Sequence, residues 1–109
     1  MSYKIIVTDH FKAGFKKLNK KYPSLKDDIE SVTNSILNDP AFGIPIGSGI
    51  YKIRVKIRSK NQGKSSGARL ITYVYYKTES VYYIHIYDKS KIESIPIKDI
   101  QTLIDELNL

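Results

Sequence analysis

Apolar and polar positions change period several times along this chain. Residues 3–8, Tyr-Lys-Ile-Ile-Val-Thr, form a short strand-like run. Asp9 stands where a helix N-cap is expected, and Phe11, Phe15, Leu18 and Tyr22 follow at i, i+4, i+7 and i+11, one face of a helix. Pro23 stops that helix. Pro23 or Ser24 opens a second one, with Leu25, Ile29, Val32 and Ile36 at the same spacing, and Asn38-Asp39-Pro40 ends it. Residues 40–49 hold two prolines and three glycines and read as a connector. Three strand-like runs follow, at 50–58, 68–76 and 81–87. The polar, glycine-spaced stretch 59–67 joins the first two as a mobile hairpin loop, and 77–80 forms a tighter turn. Pro96 starts a last helix whose apolar stripe is Ile97, Ile100, Leu103, Ile104 and Leu107. This βααβββα order predicts an α+β fold, an antiparallel sheet with an N-terminal helical hairpin and a C-terminal helix, the helices covering one face. At 109 residues the chain is expected to be a single domain, 1–109, large enough for one core.

The run 50–58 is the most informative. Ile53, Val55 and Ile57 alternate with Lys52, Arg54, Lys56 and Arg58. Successive strand residues point to opposite faces, so the apolar set meets a core while four cations line the other side about 7 Å apart. Parity extends the pattern. Leu70 and Val74 suit the core, which leaves Arg69, Ile71, Tyr73 and Tyr75 opposite; Ile84 and Ile86 suit it too, which leaves Tyr83, His85 and Tyr87. One face is therefore expected to gather Lys52, Arg54, Lys56, Arg58, Arg69, Tyr73, His85 and Tyr87, with Lys89 at its rim. A bulge in a strand would reverse parity beyond it.

Charge sharpens this. Of the net +7, residues 1–39 carry +2, residues 40–78 carry +8 with no acid at all, and residues 79–109 carry −3. A one-sign patch suggests a partner with regularly spaced negative charge, such as a nucleic-acid backbone. Seven of the nine tyrosines also fall between Tyr51 and Tyr87. Cysteine is absent, so disulfides and thiolate metal sites are excluded, and two histidines far apart in sequence argue against a dedicated metal site. No run approaches the roughly 18 apolar residues of a membrane span, and the N-terminal run has no apolar signal region. A bacterial-type cytosol fits. Gly63-Lys64-Ser65 mimics the end of a P-loop, but Arg58 occupies the earlier glycine position and a strand follows where a helix is needed. Asp27, Asp28 and Glu30 read as a solvated helix face.

Gly49-Ile-Tyr-Lys-Ile-Arg, Gly63-Lys-Ser-Ser-Gly-Ala-Arg69 and Ile86-Tyr-Asp-Lys89, taken in order with the Pro40/Gly43/Gly47/Gly49 connector, resemble the RelE/ParE superfamily of bacterial toxins, its HigB-like branch most of all. Ser66 departs from a glycine common in that branch. The resemblance implies the toxin of a type II toxin–antitoxin system, a ribosome-dependent endoribonuclease (mRNA interferase) that cuts messenger RNA in the A site. It implies a cognate antitoxin, expected to be of helix-turn-helix type, and the ribosome and mRNA as partners, with no cofactor. Family catalytic positions fall on Lys52, Arg54, Arg69 and Lys89. The C-terminal catalytic tyrosine of some relatives has no counterpart; Tyr87 or Tyr73 would have to serve.

Metal-independent RNA cleavage suits such residues. The 2′-hydroxyl attacks the adjacent phosphate and needs a base, charge stabilisation and an acid for the 5′-oxygen. Arg54, Arg58 and Arg69 stay protonated and stabilise charge; Lys, with a reference pKa of about 10.4 that nearby cations lower, can exchange a proton. His85 has a suitable pKa for proton transfer but is weighed against a structural role in its strand, and His10, at a helix start, reads as merely exposed. Lys56, Arg58, Lys60, Lys64, Tyr73 and His85 are expected to contact RNA, the loop lysines reaching ribosomal RNA. Two rivals share the pattern: a ParE-like DNA gyrase inhibitor, and a non-catalytic RNA-binding relative.

Overall fold

The computed structural model describes residues 2–59, 67–91 and 94–109. In chain order they form β1 (Lys4–Val7), α1 (Asp9–Lys21), α2 (Leu25–Asn38), β2 (Ile44–Gly47), β3 (Ile50–Val55), β4 (Ala68–Tyr75), β5 (Ser80–Asp88) and α3 (Ile97–Asp105). This is the expected α+β order with one addition, because the proline–glycine connector itself pairs as β2. The sheet order is β1-β5-β4-β3-β2. Pro45 is tolerated there because β2 is an edge strand, where a missing N–H costs no central ladder bond. Gly49 makes the β2–β3 turn possible at φ +71°, a conformation most residues avoid.

All neighbours are antiparallel except β1, which runs parallel to β5 with Val7 opposite Tyr83. No hairpin turn joins these two strands, so nothing forces them antiparallel. The N-cap of α1 is Thr8 rather than Asp9: Thr8 is extended and its Oγ1 accepts from the Phe11 N–H at 3.2 Å. Asp9 sits in the first turn, where a carboxylate complements the helix dipole. The second helix begins, as expected, after Ser24.

Helices cover both faces of the sheet, not one. On the hairpin face, Phe11, Tyr22, Leu25, Ile29 and Ile36 pack against Ile53, Val55, Leu70, Val74, Val81 and Ile86. On the other, Ile100 and Ile104 of α3 pack against Ile50, Ile71, Ile84 and Tyr87. Both faces of β4 are consequently buried at Leu70 and Ile71, each with no exposure. The expected parity holds for β3, β4 and the end of β5. It fails earlier in β5, because the β4–β5 register slips at Ile71/Thr72. Tyr83 is therefore buried on the hairpin face, its hydroxyl hydrogen-bonded to Thr33, while Ile84 joins the α3 face.

Two charged residues also sit differently from expectation. Asp28 is not solvated: it is 4% exposed and accepts from the Ser24 hydroxyl (2.7 Å), the Arg58 N–H (3.2 Å) and Arg58 Nε (2.7 Å). Arg58 therefore leaves the cationic row, since it lies beyond the end of β3 and turns back to clamp the start of α2, with Asp27 at 3.9 Å. Among the described residues no helix is long and apolar enough to cross a membrane.

Candidate active site

Register, not sequence proximity, assembles the cations. β3 and β4 pair so that Arg54 stands directly opposite Arg69, and β4 and β5 pair so that Arg69 stands opposite Tyr87. The adjoining row is Lys52, Ile71 and His85. Neighbouring strands lie about 4.8 Å apart and residues i and i+2 about 7 Å apart, so both rows fit within one small patch of the α3 face. Gly67 allows the close approach that starts β4, since a Cβ there would come 2.3 Å from the Val55 carbonyl oxygen. The ladder continues past β5 through the Lys89 N–H, which donates to the Gly67 carbonyl at 2.9 Å. Asp88 turns to the hairpin side to accept from the Tyr22 hydroxyl at 2.8 Å, and Lys89 follows one residue beyond β5.

Like charges directly opposite across a ladder are destabilising. Here they persist with no ion-pair partner for Arg54 or Arg69 among the described residues. Arg69 is not on an open surface, as parity had suggested, but only 7% exposed, and its Nη1 donates to the Ala68 carbonyl at 3.1 Å, which holds the guanidinium in place. Burial, and then Arg54, push its pKa below the ordinary arginine value. It remains a cation at any working pH. Such a group gains most when an anion arrives.

Tyr87 is 3% exposed, and its buried hydroxyl has no hydrogen-bond partner among the described residues. Leaving such a group unpaired costs about 1–3 kcal/mol. Burial raises its pKa and Arg69 partly opposes that, so it is a neutral phenol beside a guanidinium. The His85 ring lies 5.7 Å from the Tyr87 ring.

The remaining expected residues divide. Lys56 is exposed, one residue beyond β3. Tyr73 is four residues along β4 from Arg69, about 13 Å away by strand rise, and packs toward α3 and Tyr75. It does not join the cation cluster. Lys60 and Lys64 lie outside the described residues. The sequence reading missed His10: its Nε2 is 2.8 Å from Nδ1 of His85, with the rings stacked at 5.0 Å. The only signal that could have found it is the parallel β1–β5 pairing, which carries the chain from Val7, opposite Tyr83, to a point beside His85. Among the described residues no group of three or more His, Cys, Asp or Glu side chains is placed to hold a metal ion.

No family model and no curated protein matches the chain. Solved structures do. An arginine double mutant of E. coli toxin RelE in the free state superposes over 100% of both chains with a TM-score of 0.65 at 17% identity. The fold is that of RelE. The intact E. coli RelBE toxin–antitoxin complex matches over 77% of this chain and 93% of that one, with a TM-score of 0.57 at 20% identity. The RelE-like sheet brings Lys52, Arg54, Arg69 and Tyr87 together at one end of its α3 face, with the Lys89 backbone bonded to Gly67 just before β4.

Proposed function

We propose that this chain is the toxin of a type II toxin–antitoxin system, a HigB-like member of the RelE/ParE superfamily that cleaves messenger RNA on the ribosome and so inhibits translation. The observation that carries the reading is the Arg54–Arg69–Tyr87 row with Lys52 beside it: two opposed arginines with no acid paired to them, next to a phenol with no partner, among the described residues. A phosphodiester oxygen satisfies all of them at once. Charge developing on the phosphorane strengthens those contacts, which is the condition for accelerating the step rather than merely binding RNA. Lys52, Arg54, Arg69 and Tyr87 form the site, with Lys89 at its rim and Lys56 guiding the backbone. The likeness in fold to the RelBE complex supports an antitoxin partner, here proposed to be of helix-turn-helix type; action on the ribosome would place the protein in the cytoplasm.

A domain this small has little surface for choosing a sequence, so the ribosome supplies substrate geometry. The test is labelled mRNA on programmed ribosomes, with a matched mRNA carrying a single 2′-deoxy nucleotide at the scissile position. Cleavage of the first and not the second is expected, with poor cleavage of free RNA. Intact mRNA on ribosomes, together with inhibition of DNA gyrase supercoiling, would instead establish a ParE-like inhibitor; intact mRNA with retained RNA binding would establish a non-catalytic relative.

A further inference from the structure

Resting on that nuclease reading, we propose that His85 is the general base of the cleavage step and that His10 is its positioning residue. His85 shares the α3 face with Arg69 and Tyr87 and lies in the same cross-strand row as Lys52. The buried Ile71 stands between His85 and Lys52, and both adjoin the Arg54–Arg69–Tyr87 row, about 10 Å apart at the backbone.

The contact between the two histidines suits one tautomer in particular. At 2.8 Å, one hydrogen lies between His10 Nε2 and His85 Nδ1. With that hydrogen on His85 Nδ1, His10 Nε2 accepts it and the lone pair of His85 Nε2 is free to take a proton. The imidazolium that forms is then stabilised by the same hydrogen bond, the logic by which an acceptor behind a catalytic histidine holds its tautomer. Thr8 anchors the arrangement, since its N–H and hydroxyl both donate to the Tyr83 carbonyl, at 3.3 and 2.8 Å, tying the start of α1 to β5.

The step balances. The 2′-hydroxyl proton passes to His85 Nε2 as the 2′-oxygen–phosphorus bond forms. The phosphorus–5′-oxygen bond breaks, and the 5′-oxygen takes a proton from the Lys52 ammonium. The products are a 2′,3′-cyclic phosphate and a 5′-hydroxyl; His85 then loses its extra proton to solvent and Lys52 regains one. Burial, and then His10, hold His85 below the ordinary histidine value of about 6.5, which keeps it neutral and proton-accepting at neutral pH. The other ionisable groups around the pair are Tyr87 on β5, Asp9 on α1, Glu106 beyond α3, which lines a cavity of about 210 Å³ with Asp9 and His10, and Lys52 and Arg69 on the neighbouring strands.

The experiment is the rate of mRNA cleavage on programmed ribosomes between pH 5 and 9, with circular dichroism confirming that each variant is folded. His85→Ala should lose about a hundredfold or more, with partial rescue by added imidazole. His10→Phe should lose about tenfold and move the acidic limb of the profile, while His10→Gln, which keeps an acceptor, restores most of the rate. A folded His85→Ala protein that cuts at the wild-type rate with an unchanged profile, or that loses rate without imidazole rescue and without a changed acidic limb, overturns the inference and leaves the nuclease reading standing. Wild-type protein that cuts nothing at any pH overturns the nuclease reading itself.

Discussion

The two faces of the sheet are built to opposite rules. The hairpin face is closed by apolar side chains from α1 and α2, and its buried charged and phenolic groups are partnered: Tyr22 with Asp88, Tyr83 with Thr33, Asp28 with Ser24 and Arg58; only Thr72 Oγ1 and Asn19 Oδ1 lack a partner there among the described residues. The α3 face is half core and half cation, with two arginines opposed and a tyrosine hydroxyl unpaired among the described residues. One face leaves only two neutral side-chain atoms unpaired; the other sets two like charges against each other, which a bound anion would relieve. Electrostatic cost concentrated in one place, on a scaffold whose other buried charges are paired, is what a preorganised phosphate site requires.

Substitutions on the two faces should therefore separate stability from activity. The largest expected effect is Leu70→Ala, which empties a fully buried position on the hairpin face and should lower unfolding free energy by about 2–5 kcal/mol in urea titrations. Next is Asp28→Ala, which strips the buried carboxylate from Ser24 and the Arg58 backbone; a loss of about 1–3 kcal/mol is expected, with cleavage by the folded fraction unchanged. On the opposite face, Tyr87→Phe removes a hydroxyl with no partner. It should leave the urea midpoint level or raise it, while slowing cleavage about tenfold if the phenol contacts the phosphate as argued.

The smallest effect is one of pH. Because His85 resists protonation in the folded protein, the unfolded chain binds the extra proton below the ordinary histidine value near 6.5. Stability is thus full above that value and falls as pH drops through it. Urea midpoints at pH 7.5 and pH 5 should differ more for wild type than for His85→Gln; equal differences would show that the histidine pair carries no such coupling.

How much of this was legible in the sequence follows from the range of each interaction. Ile53, Val55 and Ile57 announce their own face, and the helical stripes of α1, α2 and α3 were equally readable, because these patterns are local. The slip at Ile71/Thr72 was not: Tyr83 and Ile84 are both apolar enough for a core, so alternation alone could not place the bulge. Arg58 was miscounted for the opposite reason, since it continues the charge alternation after the strand has ended. The burial of Tyr87 depends on α3 folding over a face that polar alternation had marked as open. His10 and His85, 75 residues apart, meet only because β1 pairs parallel with β5.

The contrast between the faces rests on Arg69, and Arg69→Met tests it in one pair of measurements. Replacing a buried cation with an apolar side chain of similar length relieves the repulsion from Arg54, so the urea midpoint should hold or rise. Cleavage of ribosome-bound mRNA by the same protein should fall by about 100- to 1000-fold. Unchanged cleavage, or a loss that merely follows a lowered midpoint, would contradict the assignment of this face to catalysis.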